Sequence, residues 1–155
     1  MFKNYELLLH PTFGVLGMIA AVWVFVEALN VREKNVGRMR TVAMWSAVFI
    51  WAAYITAGYY YVLYYGGDKA VIKAGPWPWA HGLFMETKEH VFFLTLMLAT
   101  LLPIVTSGPV DKSRATRKLV LWTSGGVVLL ALAMEGAGAV IGMGDRLGLI
   151  AKIGS

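Results

Sequence analysis

Long apolar stretches at roughly residues 11–29, 41–65, 91–106 and 119–143 alternate with short polar segments, and that rhythm dominates the chain. A hydrocarbon core of ~30 Å needs about 20 apolar residues at ~1.5 Å rise each, and three of the four stretches meet this directly. The third meets it once Pro78 is taken as the first turn of its helix, where a missing N–H leaves nothing unpaired. Backbone groups in lipid have to bond within their own segment, and runs this long and continuous do not suit barrel strands. The expected fold is therefore all-α: a polytopic four-transmembrane-helix bundle with helices at about 11–30, 41–65, 78–106 and 118–143. Residues 1–155 read as a single membrane domain, with no long linker and no internal repeat.

Composition agrees with the pattern. Hydrophobic residues make up 58% of the 155 and charged residues 15%, where soluble domains carry about 25% charge. Arg32, Lys34, Arg38 and Arg40 follow the first span, and Lys112, Arg114, Arg117 and Lys118 follow the third, all on one side. Lys3, Lys69, Lys73, Lys88, Arg146 and Lys152 fall on the other, so the bias predicts both termini on the non-cytoplasmic side. The first ten residues hold no cleavable signal, and the first helix is expected to act as its own insertion signal in a prokaryotic inner membrane. The net charge of +5 is then chiefly a topology signal, and no basic stripe interleaved with aromatics suggests nucleic acid.

Chemistry is narrowed by what the chain lacks. With no cysteine, disulfides, thiolate metal sites, iron–sulfur clusters and covalent c-type haem are excluded. No P-loop and no Ser–His–Asp pattern is present, which argues against phosphoryl and acyl transfer.

Ionisable residues inside apolar runs are the remaining signal, because they are expensive in lipid unless they serve a site. His10 lies at the start of the first span, His90 about 24 Å along the third from Thr106, and Glu135 at a similar depth in the fourth. His81 and His90 bracket the polar segment His81-Gly82-Leu83-Phe84-Met85-Glu86-Thr87-Lys88-Glu89-His90. His81, Met85 and Glu89 share one helix face and Glu86 and His90 another, each at a spacing of four. Glu86 and His90 are expected to look inward.

Structural accounts compete for each residue. His10 suits an interfacial helix start with Pro11 at its first turn, and His81 follows the aromatic-belt sequence Trp77-Pro78-Trp79. His90 could simply pair with Glu86 or Glu135, and Glu27 is expected to snorkel toward Arg32 or the headgroups. The glycines of the fourth span permit close helix packing, and the cluster Tyr59, Tyr60, Tyr61, Tyr64 and Tyr65 exceeds what anchoring needs.

Four functional readings follow. One haem b could be held by His10 and His90 as axial ligands, with Glu86 and Glu135 tuning it or shuttling protons. A quinone site near the outer face could use His90, Glu86 or Glu135 as proton-exchanging groups. A copper- or zinc-handling site could use His81, His90 and His10 with Met85, Glu86 and Glu89. The fourth reading is a non-catalytic accessory subunit.

The residues His10-Pro11 and Lys88-Glu89-His90, in a four-span chain of this size, resemble the small membrane-anchor and b-type cytochrome subunits of respiratory electron-transfer complexes. That resemblance implies a subunit of a membrane oxidoreductase that passes electrons between the quinone pool and a membrane or periplasmic redox partner. Two-haem members of such bundles pair four histidines at two depths, whereas this chain has histidines at one end only. It implies at most one haem.

Overall fold

A computed structural model describes residues 2–154, with side chains from Leu8 onward. The described chain is built from helices joined by short connections: α1 (Phe2–Leu29), α2 (Glu33–Leu63), α3 (Tyr65–Ala74), a π-helical turn (Ala80–Met85), α4 (Glu86–Thr106) and α5 (Arg114–Ile153). Four segments are long and apolar enough to cross a membrane: Leu8–Leu29, Glu33–Leu63, Ala80–Thr106 and Arg114–Ile153.

The helices outrun the apolar stretches that announce them. Hydropathy marks only the part of a helix that lipid must cover, while polar residues beyond it keep helical hydrogen bonds in water. Thus α1 begins at Phe2, which places Pro11 inside the helix rather than at its first turn. The second span begins at Glu33, so Arg38 and Arg40 are helical rather than loop residues. Pro78 sits at the turn that opens the third span, its carbonyl accepting from the His81 and Gly82 N–H groups at 3.2 and 3.4 Å, but the helix it opens runs first through a π turn before continuing as α4. The fourth span is 40 residues, about 60 Å at 1.5 Å per residue, and stands well beyond a ~30 Å hydrocarbon core.

Lipid supplies no drive to separate apolar helices from it, so packing follows the small residues. Gly17, Ala21, Val24 and Ala28 line the buried face of α1, and Ala43, Ser46, Ala47, Ile50 and Ala53 that of α2. In α4 the corresponding stripe is Phe92, Thr95, Ala99, Leu102 and Thr106, and in α5 it is Val120, Ser124, Val127 and Ala131. Ser46 Oγ donates to the Gly17 carbonyl at 2.8 Å, satisfying its hydroxyl in the tightest part of the interface. Large apolar residues such as Trp122, Leu129, Met97 and Ile55 point outward, where acyl chains would cover them.

One end of the bundle is organised by arginines. Arg40 donates to the carbonyls of Thr106 (2.9 Å), Ser107 (3.0 Å) and Gly108 (3.2 Å). Arg117 donates to the carbonyls of Ala28 (2.7 Å) and Leu29. Each guanidinium thereby caps the C-terminal carbonyls of a helix other than its own, where the helix dipole favours a cation. Glu27 pairs with Arg38 at 2.5 Å and accepts from Trp23, so its partner is not the expected Arg32. Ser113 caps α5 by accepting from the Thr116 N–H at 3.2 Å. The opposite end carries all three histidines. There α3 and the π turn pack along the far part of α5, with Gly75 and Gly148 permitting backbone contact.

Candidate functional site

The buried stripes converge on an ionisable cluster at the histidine end. His10 lies one turn before Gly14 on α1, Lys88 one turn before Phe92 on α4, and Glu135 one turn after Ala131 on α5, so all three fall on interior faces. Together with Ile50, Ala53 and Met134 they line a cavity of about 10 Å³, room for a single water molecule. Lys88 lies 18 residues from Thr106, about 27 Å along α4, which puts the cluster just inside the far boundary of a ~30 Å core.

Each group is held by something specific. The His10 Nδ1–H donates to the Ala53 carbonyl of α2 at 3.0 Å, and the ring sits 6.3 Å from that of Phe92. That bond fixes the tautomer and leaves Nε2 as the nitrogen able to take a proton. Glycine makes the room: a methyl at Gly14 would lie 3.0 Å from Glu135 Oε1, and one at Gly138 would lie 3.0 Å from Lys88 Nζ. Lys88 and Glu135 lie near enough for their charges to interact, so each can offset the cost of burying the other. Either alone would carry an uncompensated desolvation penalty of several kcal/mol.

Of the four cofactor-binding candidates, the structure brings His10 and Glu135 together and leaves His90 and Glu86 apart from them. His90 is two residues, about 200° of helical rotation, from Lys88 and therefore faces away from the cavity. It is exposed, with its Nδ1–H donating to the Glu86 carbonyl at 2.7 Å, and Glu86 is exposed beside it. The expected inward view of the 86/90 face is reversed. His10 and His90 consequently do not form a bis-imidazole pair within one chain.

His81 occupies a third location. It is buried beneath α3, with its Nδ1 2.9 Å from the Tyr65 hydroxyl. Burial raises the Tyr65 phenol above the ordinary tyrosine range. Met85 packs against the apolar cluster of Tyr65, Ile72 and Ala80. The candidate metal ligands His10, His81 and His90 do not meet, and among the described residues no group of three or more His, Cys, Asp or Glu is arranged to hold a metal ion.

No known protein family, curated protein or solved structure matches the chain.

The site therefore rests on its geometry, and the residue that sequence reasoning passed over is Lys88. In the sequence it reads as one of the charges flanking the spans. The signal that finds it is the stripe of Thr106, Leu102, Ala99, Thr95 and Phe92, which leads back at spacings of three and four to Lys88 and not to His90.

Proposed function

We propose that this chain is the membrane-embedded subunit of an electron-transfer assembly and that His10, Lys88 and Glu135 form a proton-exchanging site near its outer face. The observation that carries this reading is the convergence of three ionisable side chains from three helices on a cavity the size of one water. Proton exchange needs a base, a path for the proton and a compensating charge. Here His10 Nε2 supplies the base, a water in the cavity the path, and the Lys88–Glu135 pair the compensation. The cavity does not accommodate a quinone ring, so a quinol of the outer leaflet would meet the site from the lipid side. The excess of basic residues at the opposite end supports a cytoplasmic position for that end, with the histidine end outside.

The test is infrared difference spectroscopy on proteoliposomes containing decylubiquinol, between the oxidised and reduced quinone pool. A carboxyl C=O band that disappears in Glu135→Gln and shifts in Lys88→Met is expected. A spectrum unchanged by both substitutions removes the reading.

A second reading has one specific support. The Nδ1–H of His90 is engaged by a backbone carbonyl, leaving Nε2, the nitrogen that commonly ligates haem iron, directed away from the bundle. Haem b then belongs at the exposed face of α4, with its other axial ligand supplied by a neighbouring chain. A reduced-minus-oxidised absorption spectrum of the intact assembly, lost in His90→Ala and kept in His10→Ala, tests it.

A further inference from the structure

Two tyrosines and a histidine outside the His10 cluster form a second assembly of chemically active groups. Tyr65 and His81 are each only 4% exposed, and the phenol oxygen lies 2.9 Å from the imidazole Nδ1. The Tyr61 ring stacks on Tyr65 with centroids 5.2 Å apart and planes 20° apart. Tyr61 is 38% exposed, so the stacked pair runs from the surface to the buried hydroxyl. The Tyr61 hydroxyl faces the carboxylate of Glu89, whose Oε1 is buried without a hydrogen-bond partner. Packing alone would be met by phenylalanine at 65. A phenol aimed at a buried imidazole does something phenylalanine cannot.

We propose that Tyr65 is a redox-active tyrosine whose proton is exchanged with His81 and whose electron passes through Tyr61 to the surface. The oxidant is a strong one-electron acceptor docked at the histidine end, such as a high-valent metal–oxo or photo-oxidised centre of a partner protein. On oxidation Tyr65 loses one electron, its O–H bond breaks, and the proton forms an N–H bond at His81 Nδ1. The products are a neutral phenoxyl radical and an imidazolium. Return of one electron from a donor, with the proton passing back from Nδ1, restores the starting pair. The chemistry favours this arrangement because a phenol that loses an electron but keeps its proton becomes a very strong acid. A base already within hydrogen-bond distance removes that high-energy state. Glu86 and Glu89 on α4 lie close enough to His81 to offset the imidazolium charge, while Lys69 and Lys73 on α3 oppose it. Exclusion of water from Tyr65 lengthens the life of the radical, and the stacked Tyr61 ring provides orbital overlap toward the exterior.

The site is independent of the His10 cluster, and its test does not depend on that reading. The full chain in detergent is oxidised by photogenerated tris(bipyridine)ruthenium(III) and followed by electron paramagnetic resonance and transient absorption. A persistent neutral tyrosyl radical is expected, formed more slowly in D₂O. Tyr65→Phe should remove it, and His81→Gln, which keeps a polar amide but no base, should abolish its persistence. Tyr59→Phe, at an exposed ring outside the pair, should leave it intact. Retention of the persistent radical in Tyr65→Phe, or an unchanged yield and isotope effect in His81→Gln, overturns the proposal. Should a variant fail to fold, electron–nuclear double resonance on the unmodified protein in D₂O decides. A deuteron hydrogen-bonded to the radical supports the proposal, and its absence overturns it.

Discussion

The two ends of the bundle use charge in opposite ways. At the arginine end, Arg40 and Arg117 spend their donors on backbone carbonyls, and Glu27 is matched by Arg38. These charges lie where helices end and finish the helices they touch. At the histidine end, His10, Lys88 and Glu135 point into the bundle and enclose space instead of closing a helix. Similar residue types thus serve as fasteners at one end and as a reactive pocket at the other. What separates the roles is position: the arginines meet the terminal carbonyls of helices, whereas His10, Lys88 and Glu135 line space between helices.

Substitution can break this contrast. The largest effect is expected from Glu135→Leu, which strands Lys88 in the bundle and should destabilise it by about 3–5 kcal/mol. The double variant Lys88→Met/Glu135→Leu should recover most of that stability in equilibrium unfolding while remaining silent in the infrared assay. If single and double variants unfold alike, the two side chains are not coupled. Gly148→Ala should follow at about 1–3 kcal/mol, because its methyl would meet the Val71 carbonyl oxygen at 2.6 Å and backbone cannot swing aside. Gly14→Ala meets only the end of the Glu135 side chain, so it should disturb the site more than the fold.

At the arginine end, Arg117→Ala should lower stability by about 2 kcal/mol, since it leaves helix-terminal carbonyls of α1 without their donor. No apolar second substitution should repair it, in contrast to the pair at the other end. A smaller effect concerns alkaline pH. The Tyr65 phenol ionises above its ordinary value in the folded chain, so the unfolded chain releases this proton first. Its contribution to stability is complete below about pH 10 and falls as pH rises beyond that, and Tyr65→Phe should flatten the decline. The smallest effect is His90→Ala, expected within about 0.5 kcal/mol of the parent because its imidazole is exposed.

The contrast between the ends also bears on what could be read from the residues alone. The four spans were legible because a continuous apolar run has few meanings in a chain this poor in charge. His10 and Glu135 were legible as ionisable groups at one depth. Their partner was not, because apolarity surrounds every turn of a membrane helix and gives no direction for inside. His90 was assigned inward for its place at the edge of an apolar run, whereas Thr95, Ala99 and Thr106 mark the true interior of α4. The Tyr65–His81 contact joins α3 to the π turn, and no periodicity signals a meeting across a bend.

The arginine caps also impose an order on biosynthesis. Arg117 of the last span closes the end of the first, 89 residues earlier at Ala28, and Arg40 of the second closes the end of the third. A ribosome delivers α1 long before its cap exists. Until α5 arrives, the terminal carbonyls of α1 are satisfied by water or headgroups, and that end of the first helix has no protein partner. The cap then acts as a latch that sets only when the whole chain has arrived, and a truncated product would leave that latch open.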